Sequence, residues 1–385
     1  MNLSNDQKKA IRDLLAWFTS RQRTPYITLG GYAGTGKTTV VAKFRRELNK
    51  INKKIRVAFC SYTGKAARVL RETIAENDAA SDNDSVSTIH SLIYSPIVND
   101  SEVIIGWERQ EEIKYDLIIV DEGSMVDQSI WTDLSSFGVP IIAVGDHGQL
   151  PPIRGDFNLM SKPMLKLNEI HRQARGNPII KLSILARETG EIPVKRYSDN
   201  VYKIDKRADD ARDEINDILN KYDENTMILC GYNFTRIKLN NHIRNYLGFE
   251  SPTPEPGDRV ICLRNNRLKD IYNGMLGTIS QIEKVDDKWF YSEIELDGED
   301  ELFSGQILID QFGAKSAINF TQDRAKSIDG DLFDFGYALT VHKAQGSQAE
   351  RVILFEERFS KMTDDMWRKW LYTGITRAVR ELIII

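Results

Sequence analysis

The chain has 385 residues, 41% of them hydrophobic and 28% charged, with a formal net charge of −4. That length exceeds one ordinary domain and, at about 150 residues each, predicts two or three. No run reaches the roughly 18 apolar residues of a membrane span, and Met1 to Asp6 lacks a basic segment followed by an apolar stretch. A soluble, cytoplasmic protein with no membrane partner is therefore expected. Cys60, Cys230 and Cys262 are odd in number, far apart and set in apolar runs, which predicts small buried hydrophobes and no zinc or disulfide framework. The net charge neither announces a nucleic-acid binder nor excludes one, since a strand can be gripped in a local groove.

Leu3 to Phe18 has apolar residues at helical spacing, with Ser4 or Asn5 as cap. Tyr26 to Leu29 reads as a strand, Thr38 to Leu48 as a helix, Arg56 to Cys60 as a strand and Thr63 to Glu76 as a helix. Asn77 to Asp84 is a polar loop, and Tyr94 to Ile113 resembles a β-hairpin inserted between sheet elements. Asp116 to Val120 and Pro140 to Val144 are two more buried strands. Short apolar runs separated by helices predict an α/β fold with a parallel sheet covered on both faces.

A second α/β unit is expected from about Arg172, with a strand at Met227 to Cys230 and a helix at Arg236 to Leu247. Pro252, Pro254, Pro256 and Gly257 mark a break. From Asp258 to Ile318 short alternating runs and the turns Asn273-Gly274 and Asp297-Gly298 predict a small β-barrel-like insert. The α/β pattern is expected to return at Phe335 and to close on a strand at Leu382 to Ile385.

Gly31-x4-Gly36-Lys37-Thr38 matches the phosphate-loop pattern between a predicted strand and a predicted helix. Its glycines let backbone N–H groups of Gly34, Thr35, Gly36 and Thr39 approach phosphates, and the helix N-terminus adds a favourable field. Lys37 would place charge on the β- and γ-phosphates and Thr38 would ligate Mg²⁺. Asp121-Glu122 ends a strand at the edge where phosphates would lie; Asp121 would hold Mg²⁺ and Glu122 would act as general base on the attacking water. Gln149, in Gly145-Asp146-x-x-Gln149-Leu150-Pro151-Pro152, could sense a γ-phosphate without adding charge. Arg172 and Arg377 are candidate arginine fingers, groups worth roughly 10³–10⁵ in rate where they act. The cofactors implied are ATP and Mg²⁺, and the activity an ATP hydrolase.

Eight blocks in order then resemble superfamily 1B helicases, the RecD-like branch, and within it compact phage enzymes of the Dda type. They are Gly31–Thr39, Tyr62–Ala67, Ser87–Ser91, Asp121–Met125, Gly145–Pro152, Glu169–Arg172, Leu339–Ser347 and Tyr372–Ala378. The resemblance implies two RecA-like domains, at 1–93 with 114–171 and at 172–256 with 324–385. It also implies a hairpin pin at 94–113 and an SH3-like insert at 257–323. It implies 5′-to-3′ translocation on single-stranded DNA, unwinding of forked duplex, and a role in replication, recombination or repair. A monomer is expected, with a single-stranded DNA-binding protein as a further partner. Gln7 resembles the family glutamine that reads adenine, and Gly346 falls at the nucleotide. Thr63, Lys65, His90, Thr340, His342 and Lys343 match positions near the strand, where hydroxyl, Lys and His donors suit phosphates.

Tyr62, Tyr94 and Trp107 are candidate stacking platforms for bases, with core packing as the alternative for each. Arg264, Arg267, Lys269, Tyr272 and Asn273 form a basic and aromatic patch in the insert, which a solvated loop would also explain. Gly123 stands where the family often carries an apolar residue, a change expected to be harmless. The segment before Phe335 is shorter than in the Dda type, which implies reduced bracing of the pin. The chain stops just after the last block, so no nuclease or accessory C-terminal domain is expected. Two other readings compete: a translocase that displaces proteins with weak unwinding, and a non-motor phosphate-loop ATPase switch. The second needs no distant Arg172, Thr340 to Ser347 or Arg377.

Overall fold

The computed structural model describes residues 3–77, 79–98, 104–152, 157–169, 176–266, 269, 271–299, 301–318 and 330–385. The chain divides into two compact units, Met1–Asn99 with Gly106–Ile184, and Asp100–Ile105 with Leu185–Ile385.

In the first unit the predicted N-terminal helix forms as α1 (Asn5–Thr19). Ser4 caps it in a reciprocal box with Gln7. Then follow β1 (Tyr26–Gly31), α2 (Lys37–Ile51), β2 (Val57–Ser61), α3 (Gly64–Glu76), β3 (Ser85–Thr88) and α4 (Ile89–Ile93). β4 (Tyr94–Val98) and β5 (Ile104–Arg109) pair as a two-stranded hairpin, where the sequence predicts one. β6 (Leu117–Asp121), α5 (Gln128–Ser135), β7 (Ile141–Gly145) and β8 (Leu165–Leu167) complete the unit. Its six-stranded sheet has the order β3-β2-β6-β7-β1-β8 with every pairing parallel.

Alternate residues of β6 serve opposite faces, which is why its sequence is a continuous apolar run. Leu117 and Ile119 pack with Leu14, Leu29, Phe44 and Phe59. Ile118 and Val120 pack with Cys60, Ile130, Trp131 and Met160. The sequence reading missed β3, α4, α5 and β8. β3 is half-buried and polar at the sheet edge, and α4 and α5 are short, started by the Thr88 and Asp127 side chains. Local capping made them, with no periodicity long enough to read.

Further along come α6 (Pro178–Thr189), β9 (Arg196–Ser198), β10 (Val201–Lys203), α7 (Ala211–Leu219), β11 (Thr226–Cys230) and α8 (Asn233–Tyr246). β12 (Arg259–Cys262), β13 (Leu276–Lys284), β14 (Trp289–Leu296), β15 (Phe303–Leu308) and β16 (Phe333–Phe335) form a separate antiparallel sheet, ordered β15-β14-β13-β12-β16. It has its own core of Val260, Ile279, Phe290, Ile294, Phe303 and Phe333. Gly274 and Gly298 turn it with φ of 95° and 73°. One expectation needs correction: Phe335 does not reopen the α/β pattern but pairs with Val260 as the last strand of this sheet. The α/β pattern resumes at β17 (Ala338–Thr340), β18 (Ala349–Leu354), α9 (Asp364–Ile375) and β19 (Ala378–Ile384). The second unit's main sheet runs β17-β11-β18-β19-β10-β9, parallel except for the β9–β10 edge.

The three cysteines are buried and free, as expected, and burial pushes the Cys230 and Cys262 thiols up to about 12. No helix among the described residues is long and apolar enough to cross a membrane.

Candidate nucleotide and strand sites

Because β6, β7 and β1 are parallel neighbours, their carboxyl ends bring three loops to one edge of the sheet. The loop after β1 turns through Gly34 and Gly36 at φ of 78° and 75°, where a Cβ would strain the backbone. α2 starts with no side-chain cap, so its first N–H groups face out of the loop, as an anion site requires. Thr35 is wholly buried and its hydroxyl donates to Tyr32 O at 2.7 Å. Lys37 Nζ donates to Gly31 O (2.8 Å) and Tyr32 O (3.2 Å) and lies 3.8 Å from Asp146 Oδ2. Thr38 and Thr39 follow in the first turn of α2.

The β6 edge ends in Asp121, whose Oδ1 accepts from the Glu122 N–H at 2.9 Å. Burial raises the Asp121 carboxyl above the usual carboxylate range, against the Glu122 N–H and the Lys37 charge, which lower it. Glu122 is left-handed at φ 52°, the one non-glycine with positive φ among the described residues. A bulky residue held there is strain of the kind that collects at functional sites. After β7, Asp146 is 1% exposed and accepts from the Gly148 N–H. Gln149 is buried, and its Oε1 has no hydrogen-bond partner among the described residues. The ring of His147 packs on Tyr32 with centroids 4.2 Å apart, tying this loop to the phosphate loop.

Thus Lys37 and Asp146 meet directly, a pairing the sequence reading missed. The Gly-Asp step ending a strand beside β1 was the available signal. One hydroxyl from Thr38 and one carboxylate from Asp121 would fit the sparse protein share that Mg²⁺ takes where phosphates and water complete its shell.

Gln7 lies against the phosphate loop. It is completely buried, its Nε2 donates to Thr35 O at 2.9 Å and its Oε1 accepts from Ser4 N. Here it ties the start of α1 to the phosphate loop. Gly123 is also more constrained than expected: a Cβ there would come within 3.1 Å of Met160 Cε and Val144 O. Met160 fills the space a side chain would take.

On the neighbouring loops, Thr63 caps α3 by accepting from Ala66 N. His90 on α4 lies between Tyr62 and Tyr94, with ring centroids 6.3 and 5.7 Å away. The Tyr94 hydroxyl donates to Asp133, and burial with that bond raises it to about 12. Trp107 on β5 is 41% exposed. The Lys65 side chain, Arg172 and Arg267 lie outside the described residues.

In the second unit, the loop after β17 gathers the other predicted residues. Gly346 is left-handed at φ 75°. Arg377 is buried, donating to Thr373 O (3.0 Å), Ser347 O (3.1 Å) and Thr376 Oγ1 (3.3 Å). Thr340 accepts from the Lys343 N–H, and Lys343 Nζ donates to Asn273 Oδ1 at 3.1 Å. Burial lowers both His342 and Lys343 from their ordinary values. Burial therefore disfavours the charged form of His342, whose imidazole can still hydrogen-bond a phosphate. Of the insert patch, Lys269 is held by Asp331 at 2.8 Å and Asn273 by Lys343.

A parallel sheet with a phosphate loop after β1, an acidic pair at the end of β6 two strands away, and a second α/β sheet are consistent with a RecA-like helicase fold. The family described as AAA domain matches residues 15–154, and that described as UvrD-like helicase C-terminal domain matches residues 335–385. The chain is 27% identical over 379 residues to ATP-dependent RecD2 DNA helicase of Deinococcus radiodurans, covering 91% of this chain and 46% of that protein. It therefore spans less than half the length of that relative. It is 22% identical to ATP-dependent DNA helicase dda of Enterobacteria phage T4, with 98% of each covered. Its fold is similar to that of Pif1 helicase from Bacteroides in complex with ADP-AlF3 and ssDNA (TM-score 0.56, 18% identity, 100% of this chain and 92% of that one). These relatives and the two family matches are together consistent with a superfamily 1B helicase.

Proposed function

We propose that the chain is an ATP-driven DNA helicase that moves 5′ to 3′ on single-stranded DNA and opens duplex ahead of it. The observation that carries this reading is the meeting of Lys37, Asp121, Glu122, Asp146 and Gln149 on loops from three adjacent parallel strands. The relatedness to RecD2 and Dda helicases over most of the chain supports it. Lys37 leaves the loop carbonyls for the phosphates, and Thr38 with Asp121 would hold Mg²⁺. Bound Mg²⁺ would neutralise charge on the phosphates. Glu122 takes a proton from the attacking water, and Gln149 offers its amide to the γ-phosphate.

Arg172 and Arg377 act as arginine fingers that stabilise charge on the transferring phosphoryl group. Thr63, Lys65, His90, Thr340, His342 and Lys343 carry the strand, with Tyr94 and Trp107 stacking on bases. The β4–β5 hairpin acts as the pin, and the antiparallel sheet from β12 to β16 is an SH3-like insert. Domain limits follow the blocks except at the end of the insert, which β16 carries to Phe335: RecA-like domains at 1–93 with 114–171 and at 172–256 with 336–385. The protein works as a monomer on a fork.

Steady-state ATP hydrolysis measured with and without an oligo-dT strand tests this against a non-motor switch. A motor gives strong stimulation by the strand, with no sequence preference and a fall as salt rises. Turnover indifferent to the strand overturns the proposal.

A further inference from the structure

Three polar residues of α8, spaced four apart, stand on one face of the helix. Arg236, Asn240 and Arg244 are 8%, 2% and 4% exposed, which is unusual for such side chains unless each is paired. Arg244 donates to both Asp258 oxygens at 2.8 and 2.9 Å, to Ser251 O and to Thr253 O, and its guanidinium lies 4.2 Å from the centre of the Phe335 ring. Asp258 also accepts from the Tyr337 hydroxyl. Arg236 donates to Asp334 Oδ2 (2.8 Å) and Ala314 O (2.7 Å), while Asp334 Oδ1 accepts from the Gly313 and Phe335 N–H groups. Between them, Asn240 Oδ1 accepts from Ala338 N at 2.8 Å.

Asp258 immediately precedes the first strand of the antiparallel sheet, Asp334 lies in its last, and Ala338 opens β17, which leads into the Thr340 to Gly346 loop. One face of one helix thus grips the way into the insert, the way out of it, and the strand carrying the proposed DNA-contacting loop. The Asn273 turn of the insert touches that loop again through Lys343.

We infer that Arg236, Asn240 and Arg244 are positioning residues that lock the β12–β16 insert and the Thr340 to Gly346 loop into one rigid body. Strand grip and insert then move as a unit, and motion driven by ATP is not lost at the insert's two chain crossings. This rests on the helicase reading for its consequence but not for its geometry. A guanidinium is needed because only its planar fork can span a carboxylate and flanking carbonyls; an ammonium keeps the charge and loses the span.

The test uses Arg236→Lys and Arg244→Lys singly in the full chain, so that failure of one to fold leaves the other to report from the opposite end. Strand-stimulated ATP hydrolysis is expected to stay within about twofold while duplex opened per ATP falls roughly tenfold, as for a misplaced but intact device. ATP hydrolysis and unwinding falling in proportion, or unwinding per ATP unchanged, overturns the inference. Backbone hydrogen exchange gives a readout independent of helicase activity. Arg244→Lys should speed exchange not only at 251–262 but also at 338–346; acceleration confined to 251–262 overturns the inference. A wild-type chain that opens no duplex sinks the helicase reading, and exchange alone then decides the clasp.

Discussion

Lys37→Ala abolishes strand-stimulated ATP hydrolysis, a fall of roughly 10²–10³ or more, the scale seen when one preorganised charge-stabilising donor is removed. In the resting chain Lys37 Nζ bridges Gly31 O and Tyr32 O and sits near Asp146, so its charge is already held at the mouth of the loop. Only a short movement separates that position from phosphates at the uncapped start of α2. Alanine removes the charge and leaves the glycine turns, so nucleotide binding weakens and turnover stops. Phosphate release at saturating strand measures it, with thermal unfolding to show that the variant is folded. Near-normal turnover would overturn the assignment of the site.

Asp121→Asn should raise the melting temperature of the nucleotide-free protein while hydrolysis falls by roughly a hundredfold or more. Burial raises the folded-state pKa of Asp121 above its unfolded value. The sign follows from linkage: the protonated form is favoured in the fold, so that stability is present at low pH and is lost as pH rises through the folded pKa. The ionised carboxylate is disfavoured in the fold, a penalty that nucleotide and Mg²⁺ would offset. Asparagine keeps an oxygen for the Glu122 N–H and removes the buried charge. The gain in melting temperature should be largest at alkaline pH and shrink towards zero as pH falls through the folded-state pKa of Asp121. A variant less stable than wild type at every pH would show that Asp121 is not a destabilised group held for function.

Much of the fold could be read directly. The strands β1, β2, β6 and β7 are buried on both faces and announce themselves as apolar runs, and the phosphate loop needs its residue types in one short stretch. What escaped reading depends on partners distant in sequence. Gln7 carries a plain capping signal, yet its second bond goes to Thr35 O, 28 residues away. At Gly123 the sequence does not show that Met160, distant in the chain, fills the space a side chain would take. The polar stripe of α8 reads as a solvated face until Asp334, 98 residues beyond Arg236, is brought against it. β16 was misassigned because three residues are too few to reveal which sheet they join.

The most direct measurement of the central claim is unwinding of 5′-tailed against 3′-tailed duplexes with ATP. Opening of the 5′-tailed duplex and forked DNA, abolished by Lys37→Ala, is the expected result. Opening of the 3′-tailed duplex alone would contradict the direction of movement, and no opening of either, with strand-stimulated ATP hydrolysis intact, would contradict the helicase assignment itself.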